Sequence, residues 1–289
     1  MSPAGLREAL PADDAFSFGV LETMRAQDGN VPLMSGHMAR FRRSADPELP
    51  VFERIQAQAM EIARQTTDWP HGARVRLRYG MLAGERVWDF SVVPLEAQSP
   101  WQRGVVLSLC RTPVTPEASH SPFVSSAGAG GLSETRHGSA QDSALGCKLL
   151  QRDLYHRAEK ELAQLSEGLG SGLFHEGLLL DADAHVIEGL RTNLLVWRNG
   201  HWCTPSLRTC GVRGVMLDWL AGRAEIREDD LQIEDIEQAG ELAVCNAVRG
   251  VLPVVQFSVG GTAPFAAGRL LSPGPATRSL QKLIADTLW

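Results

Sequence analysis

Apolar and polar positions divide the chain into two regions with different patterns. In the first region, stretches of alternating apolar residues predict strands, and stretches with apolar residues at helical spacing predict helices. The predicted strands are 16–26, 74–80, 87–95 and 105–110, and the predicted helices are 35–45 and 51–65. This order of elements is typical of helices packed against an antiparallel sheet.

The second region opens with an amphipathic helical pattern at 148–165, and short strands and turns follow it. Further helices are predicted near 213–222 and 275–288. We therefore expect an α+β (mixed α/β) fold in three parts. These are an N-terminal α+β sandwich-like domain at 1–110, a Gly/Ser/Pro-rich interdomain loop at 111–147, and a C-terminal, sheet-rich pseudo-barrel domain with peripheral helices at 148–289.

The composition narrows the class of protein. A net charge of −6 and a pI near 5.8 give no electrostatic reason to expect nucleic acid or an anionic membrane as a partner. No stretch approaches the roughly 18 apolar residues of a membrane span, and the N-terminus lacks a signal-peptide pattern. The five cysteines are odd in number and form no C-x-x-C pair, so we expect a cytoplasmic protein with reduced thiols and no metal site.

Lysine is rare in this chain, which limits the side chains able to do amine chemistry. Only Lys148, Lys160 and Lys282 occur among 28 basic residues, and arginine is not a usable amine nucleophile. Lys160 lies among charged neighbours and Lys282 on the terminal helix, as surface lysines do. Lys148 has apolar neighbours and opens a predicted helix, and both features would lower the pKa of an amine, as a nucleophile requires. This argument alone leaves a catalytic and a structural role open.

Five segments resemble, in order, the motifs of the class IV aminotransferase and aminodeoxychorismate lyase family (fold type IV), which uses pyridoxal 5'-phosphate. They are FSFGVLETMRA with VPLMSGHMARFRRSA, then GCKLLQRDLY, LLLDADAHVIEGLRTNLLVWRNGHWCTPSL, TCGVRGVML and ELAVCNAVRGVLPV. The third segment contains the family pattern E-G-x-x-[ST]-N at residues 188–193. The resemblance therefore implies an enzyme that depends on pyridoxal phosphate.

The resemblance also implies roles for individual residues. Lys148 corresponds to the catalytic Schiff-base lysine, Glu188 to the carboxylate that pairs with the pyridine nitrogen, and Arg40 to the phosphate-binding arginine. The remaining cofactor contacts that it implies are Val212, Arg213, Asn246 and Ala247. Taken singly, Arg40 would be a surface ion-pair partner, Glu188 a turn carboxylate and Asn246 a turn cap. His37 is interpreted as a residue that holds its local loop.

Three reactions share the family scaffold. They are elimination of pyruvate from 4-amino-4-deoxychorismate to give 4-aminobenzoate for folate biosynthesis, branched-chain transamination, and D-amino acid transamination. The stretch GERVWDF places Trp88 where the D-amino acid enzymes have histidine, while GVRGVM and CNAVRGVLPV look most like the lyases. The lyase is therefore the first interpretation, a class IV aminotransferase the second, and a non-catalytic cofactor-binding protein the third. Candidate substrate-side residues are Thr23, Arg78 and Arg86, and the family implies a homodimer that acts on a small-molecule amine.

Overall fold

The computed structural model describes residues 10–97, 103–123, 145–166, 172–259 and 268–289. These residues fall into two compact units. The first lies within residues 1–95 and 120–151, and the second within residues 96–119 and 152–289. Each unit has its own sheet and its own buried apolar core.

The first unit is built on a three-stranded antiparallel sheet. Its strands are β1 (Phe18–Ala26), β2 (Ala73–Leu82) and β3 (Glu85–Pro94), and its helices are α1 (Met34–Ala45) and α2 (Leu49–Gln65). Both helices contribute to one core, in which Phe41, Ile55 and Leu77 are fully buried. Because successive strand side chains point to opposite faces, Val20 joins this core while Leu21 packs with Phe16 and Leu150 in a second cluster.

In the part of the second unit that the structure describes, nine strands form a mixed sheet. Its strands are β4 (Val105–Leu109), β5 (Phe174–Leu180), β6 (Val186–Gly189), β7 (Asn193–Arg198), β8 (His201–Pro205), β9 (Ile226–Asp229), β10 (Glu241–Asn246), β11 (Gly250–Ser258) and β12 (Arg269–Leu270). The strand order is β6-β5-β4-β11-β10-β7-β8-β9, with β12 beside β11. The sheet curls so that its two ends meet. The amide of Val186 on β6, at one end of the order, donates a 2.8 Å hydrogen bond to the carbonyl of Leu231, just after β9 at the other end.

Among the described residues, four helices belong to the same unit: α3 (Asp153–Leu165), α4 (Val215–Ala221), α5 (Ile233–Gln238) and α6 (Pro275–Thr287). The buried face of α3 carries Leu154, Ala158 and Leu162, which pack in a cluster with Leu179 of β5 and Ile187 of β6. The predicted α+β class, with a sandwich-like first part and a curled, barrel-like second sheet, is thus confirmed.

One predicted element differs in a way that matters for the site. The helical pattern that begins at residue 148 becomes a helix only at Asp153. Residues before it instead pair with β1, since the amide of Leu21 donates to the carbonyl of Lys148 at 2.8 Å and that of Leu150 to the carbonyl of Gly19 at 2.9 Å. The expectation that Lys148 stands in the first turn of a helix is therefore wrong.

Two further expectations concern the long loop and the membrane. Most of the loop predicted at 111–147 lies outside the described residues, which resume at Leu145. Its opening part includes a short 3-10 helix at Pro116–Ser119. The strand β4, which is predicted as the last strand of the N-terminal region, pairs instead with β5 and β11 of the second unit.

None of the helices within the described ranges is long and apolar enough to cross a membrane.

Candidate active site

Lys148 begins a short segment, residues 148–151, that pairs with β1. An isolated antiparallel bridge joins Leu149 to Val20 of β1, and Gln151 accepts a 3.0 Å hydrogen bond from the amide of Gly19 through Oε1. These contacts fix the half-buried lysine beside β1. Its Nζ donates a 3.1 Å hydrogen bond to Oγ1 of Thr23 on the same strand.

Arg40 belongs to a buried charged cluster with Glu22 and His37. Arg40 Nε donates to Glu22 Oε1 at 2.8 Å, and Arg40 Nη2 donates to Glu22 Oε2 at 2.6 Å. His37 Nδ1 lies 2.7 Å from Glu22 Oε2. Burial alone would raise the pKa of Glu22, but the charge of Arg40 and the hydrogen bonds from both partners outweigh it and lower the pKa to about 2.

His37 is the third member of this cluster. Burial lowers the pKa of His37, although its contact with Glu22 acts in the opposite direction. Its Nε2 is buried and has no hydrogen-bond partner among the described residues. The Nδ1 contact thus orients the ring against Glu22, which agrees with a role in holding the local structure.

Glu188 lies on β6 of the second unit and is only 3% exposed. Its Oε1 accepts a 2.6 Å hydrogen bond from the hydroxyl of Tyr155, and its Oε2 accepts a 3.0 Å hydrogen bond from the amide of Val212. Two donors therefore fix the orientation of the carboxylate. A carboxylate is an acceptor with four lone-pair sites, which is the chemistry that a protonated ring nitrogen requires of a partner.

The turn before α4 contains Val212 and Arg213. The amide of Val212 donates to Glu188, and its carbonyl accepts a 2.9 Å hydrogen bond from Nδ2 of Asn193. A phosphate contact by the Val212 amide would have to share that hydrogen. The guanidinium of Arg213 bonds Asp218 and Glu228, each at 2.6 Å, so the arginine side chain stabilises the turn. The phosphate role of both backbone amides stays a prediction.

Asn246 and Ala247 stand where β10 turns into β11. Oδ1 of Asn246 accepts hydrogen bonds from the amides of Val248 at 3.0 Å and Arg249 at 2.8 Å. The structure thus gives Asn246 the turn-capping role that was the alternative interpretation. Ala247 lies half-buried in the same turn. A cofactor contact by either residue remains a prediction.

The three substrate-side candidates have different surroundings. Thr23 contacts Lys148 directly. Arg78 is bound by Asp89 and Asp13 and by the carbonyls of Leu10 and Pro11. Arg86 is exposed and lies 5.5 Å from the ring centroid of Phe123. Of these, Thr23 is the one that the structure places at the lysine.

Four residues that the sequence patterns did not single out take part in these arrangements: Glu22, Arg152, Tyr155 and Glu176. Glu176 is fully buried on β5, and burial raises its pKa to about 7 despite the charge of Arg191 and several hydrogen bonds. A glutamate inside an apolar strand pattern is the signal that could have identified both Glu22 and Glu176. Tyr155 is one of only two tyrosines in the chain.

The predicted site residues are divided between the two units. The first unit brings Lys148 together with Thr23 and contains the Arg40 cluster, while the second brings Glu188 together with Val212 and Tyr155. Asn246, Ala247 and Arg213 belong to the second unit, and Arg78 and Arg86 to the first.

Comparison with known proteins identifies relatives of this chain. The family model for amino-transferase class IV matches residues 19–257. An aminodeoxychorismate lyase of Vibrio harveyi is 32% identical over 90 residues, which cover 29% of this chain and 33% of that protein. The chain thus matches about a third of the length of that curated relative.

Solved structures extend the similarity along the whole chain. A 4-amino-4-deoxychorismate lyase from Pseudomonas aeruginosa has a TM-score of 0.70 and 25% identity, and the match covers 98% of this chain and 97% of that one. A hypothetical aminotransferase from Mycobacterium tuberculosis, solved in a form bound to pyridoxal phosphate, has a TM-score of 0.70 and shares this fold at 18% identity, over 100% of this chain and 95% of that one. Since the family model spans more than half of the sequence, the chain belongs to the amino-transferase class IV family of pyridoxal-phosphate-dependent enzymes.

Proposed function

We propose that this enzyme converts 4-amino-4-deoxychorismate to 4-aminobenzoate and pyruvate, with Lys148 as its catalytic residue. The observation that carries the assignment of Lys148 is its fixed position, since the pairing of residues 148–151 with β1 presents its amine to Thr23 at 3.1 Å. The other two lysines lie on helices, and Lys282 is exposed and pairs with Asp286 at 2.7 Å. Both relatives reported above at 25% identity or more are lyases, which supports elimination over transamination.

The residues present fit pyridoxal phosphate by their chemistry. Lys148 supplies an amine for the cofactor aldehyde, and Glu188 supplies a carboxylate, fixed by Tyr155 and Val212, for the ring nitrogen. Arg40 supplies a guanidinium for the phosphate, with Val212, Arg213, Asn246 and Ala247 as backbone or side-chain contacts. When bound, the cofactor withdraws electrons from the substrate carbon that bears the amine.

In the proposed reaction, Lys148 moves the proton that starts the elimination. Its Nζ takes the proton from the carbon bearing the substrate amine, the carbon–oxygen bond to the pyruvate unit breaks, and pyruvate leaves as its enol while the ring becomes aromatic. Thr23 accepts a hydrogen bond from the same amine and orients it for this transfer. Tyr155 and the amide of Val212 keep Glu188 in place throughout.

The test combines a visible absorption spectrum with product analysis. Protein reconstituted with pyridoxal phosphate is expected to show the absorption band of a lysine-linked cofactor, and Lys148→Ala is expected to lose it while Lys160→Ala, the matched control on α3, keeps it. Release of 4-aminobenzoate and pyruvate in equal amounts would support the lyase. Conversion of an amino acid to its keto acid without 4-aminobenzoate would identify an aminotransferase instead, and a wild type without the band would overturn the assignment of Lys148.

We further propose that the enzyme acts as a homodimer in the cytoplasm and supplies 4-aminobenzoate to folate biosynthesis. These parts of the proposal rest on the family resemblance. Light scattering on the purified protein measures the mass directly, and a monomer of 31.4 kDa would contradict the dimer. Loss of growth in a strain lacking the protein, rescued by added 4-aminobenzoate, is the expected result for the metabolic role.

A further inference from the structure

Arg152 is a guanidinium anchored next to Glu188 in the second unit. It lies just before α3, and its Nη2 donates a 3.0 Å hydrogen bond to the carbonyl of Leu190, two residues after Glu188. Its guanidinium carbon lies 4.0 Å from the centroid of the Tyr155 ring. The hydroxyl of that tyrosine donates to Glu188 Oε1 at 2.6 Å. Arg152 is therefore fixed relative to Glu188 through two separate contacts.

The charge of Arg152 is poorly compensated. Among the described residues it forms no ion pair, and the carbonyl of Leu190 is its one hydrogen-bond acceptor. By contrast, Arg40, Arg78 and Arg198 each bind one or two carboxylates. Burial lowers the pKa of Arg152, with nearby Glu188 and Glu159 acting against that effect, yet a guanidinium stays protonated in proteins. A half-buried cation of this kind gains from an anionic partner.

The remaining donors of Arg152 are suited to a carboxylate. A guanidinium has five N–H donors in a planar fork, and Arg152 uses one of them on Leu190. The fork matches the two oxygens of a carboxylate and binds them in a bidentate manner. Stacking on Tyr155 fixes the plane of the fork before any ligand arrives, so less rotamer freedom is lost on binding.

We propose that Arg152 binds a carboxylate of the substrate and thereby selects for carboxylated amines. This inference rests on the proposed function, in which the substrate carries one carboxylate on its ring, retained in 4-aminobenzoate, and another on the departing pyruvate unit. Of the sequence-derived candidates, Arg78 already binds Asp89 and Asp13 and Arg86 is exposed, so neither matches the surroundings of Arg152. Arg152 is then a binding residue that sets substrate specificity.

The experiment measures equilibrium binding, which needs no turnover. Dissociation constants of 4-aminobenzoate and its neutral analogue 4-aminobenzamide are measured by calorimetry on cofactor-loaded wild type and Arg152→Gln, and those of pyruvate and pyruvamide in a second arm. Wild type is expected to prefer the carboxylate in one arm, and Arg152→Gln to lose that preference by about 10- to 100-fold. The arm that responds identifies which carboxylate is bound.

Two further variants separate recognition from structure. Arg157→Gln removes an exposed arginine from α3, the helix that follows Arg152, and is expected to keep the wild-type preference. Arg152→Lys keeps the charge without the fork and is expected to show an intermediate preference, which supplies the test if Arg152→Gln does not fold. A general structural defect would weaken carboxylate and amide alike and leave their ratio unchanged.

Either of two results overturns the inference. The first is a wild type that prefers the carboxylate over the amide in neither arm, and the second is a set of Arg152 variants that keep the wild-type ratio of the two dissociation constants. Failure of the proposed function is recognised separately, because the visible spectrum and pyruvate release are recorded on the same samples. A normal cofactor band together with a carboxylate preference that does not depend on Arg152 counts against this inference alone. A missing band with an Arg152-dependent carboxylate preference counts against the role of Lys148 alone.

Discussion

Lys148 donates a hydrogen bond to Thr23 across a strand pairing, with 3.1 Å between Nζ and Oγ1. The two residues are 125 positions apart in sequence, and the backbone bonds between β1 and residues 148–150 bring them together. A hydroxyl at this distance restricts the rotation of the lysine side chain, which is the residue proposed to move the substrate proton.

Replacing Thr23 by valine removes the hydroxyl and keeps the branched shape of the side chain. We expect kcat to fall about 10- to 100-fold with little change in KM, since a hydrogen bond to a charged group contributes roughly 1.5–3 kcal/mol and orients the amine. Thr23→Ser keeps the hydroxyl and is expected to retain most of the activity. Steady-state kinetics of 4-aminobenzoate release measure both, and equal activity of the two variants would contradict the orienting role.

Tyr155→Phe tests the support of Glu188. The variant removes one donor to a buried carboxylate, so we expect it to destabilise the protein by about 1–3 kcal/mol and to shift the absorption of the bound cofactor. Tyr79→Phe is the matched control, because its hydroxyl has no hydrogen-bond partner among the described residues although Tyr79 is only 1% exposed. Thermal unfolding and visible spectra of both variants give the comparison, and equal effects would argue against a specific role of Tyr155.

Glu22 is expected to make the protein sensitive to acid. Its pKa is lowered in the folded state to about 2 from an ordinary value of 4.5, so the unfolded chain binds its proton first as the pH falls. The stabilisation is therefore complete above about pH 4.5 and is lost towards pH 2, and it amounts to about 3 kcal/mol. Urea unfolding of wild type and Glu22→Gln should differ strongly at pH 7, where the variant leaves Arg40 buried without its partner, and progressively less towards pH 3.

Glu176 is expected to show the opposite pH dependence. Burial raises its folded-state pKa to about 7, so the folded protein holds the proton more tightly than the unfolded chain does. Stability from this group is present below about pH 4.5 and falls by about 3 kcal/mol as the pH rises to about 7 and above. Glu176→Gln places a neutral amide where the folded protein holds a neutral acid. The free energy of unfolding of the variant, relative to that of wild type, should therefore be higher at pH 8 than at pH 4.5. Denaturant unfolding measures both free energies, and a difference between variant and wild type that stays constant from pH 4.5 to pH 8 would contradict the raised pKa of Glu176.

The sequence alone predicts much of this molecule, and its failures have identifiable physical causes. Alternation in β1 to β3 and the helical spacing of α1 and α2 reveal the first unit, because local burial patterns determine those elements. The helical pattern begins five residues before α3 does, since Lys148 to Leu150 have a helical pattern but pair with β1 instead. Hydrogen bonds between distant residues decide that outcome, and periodicity does not contain them.

In the candidate site, too, some features follow from local sequence patterns and others depend on contacts between distant residues. Motif order predicts Lys148, Arg40 and Glu188 as site residues but does not predict the partners that hold them, and Thr23 is predicted only as a substrate-side residue. Glu22 and Tyr155 are polar residues in apolar patterns, and only the folded structure shows that one binds Arg40 and the other Glu188. Sequence patterns therefore indicate the proposed reactive groups more readily than the residues that orient them.

Gly19→Ala tests whether the contact between β1 and the lysine segment is as tight as the structure indicates. A Cβ at residue 19 would collide with Cδ1 of Leu150 and lie 2.7 Å from the carbonyl oxygen of Tyr79, and the backbone of β2 cannot move away without breaking its pairing with β1. We expect a loss of about 1–3 kcal/mol in the free energy of unfolding. Because Leu150 follows Lys148 by two residues, slower formation of the lysine–cofactor absorption band should accompany that loss.

Gly222→Ala is the control for this substitution. Its φ of −78° suits any residue, and the nearest atoms to an added Cβ are 3.7 Å away, so a change of less than about 1 kcal/mol is expected. Denaturant unfolding and the rate of band formation are measured for both variants. If Gly19→Ala is as stable as wild type and binds the cofactor at the same rate, β1 and the lysine segment are less closely packed than described, and the fixed position of Lys148 loses its main support.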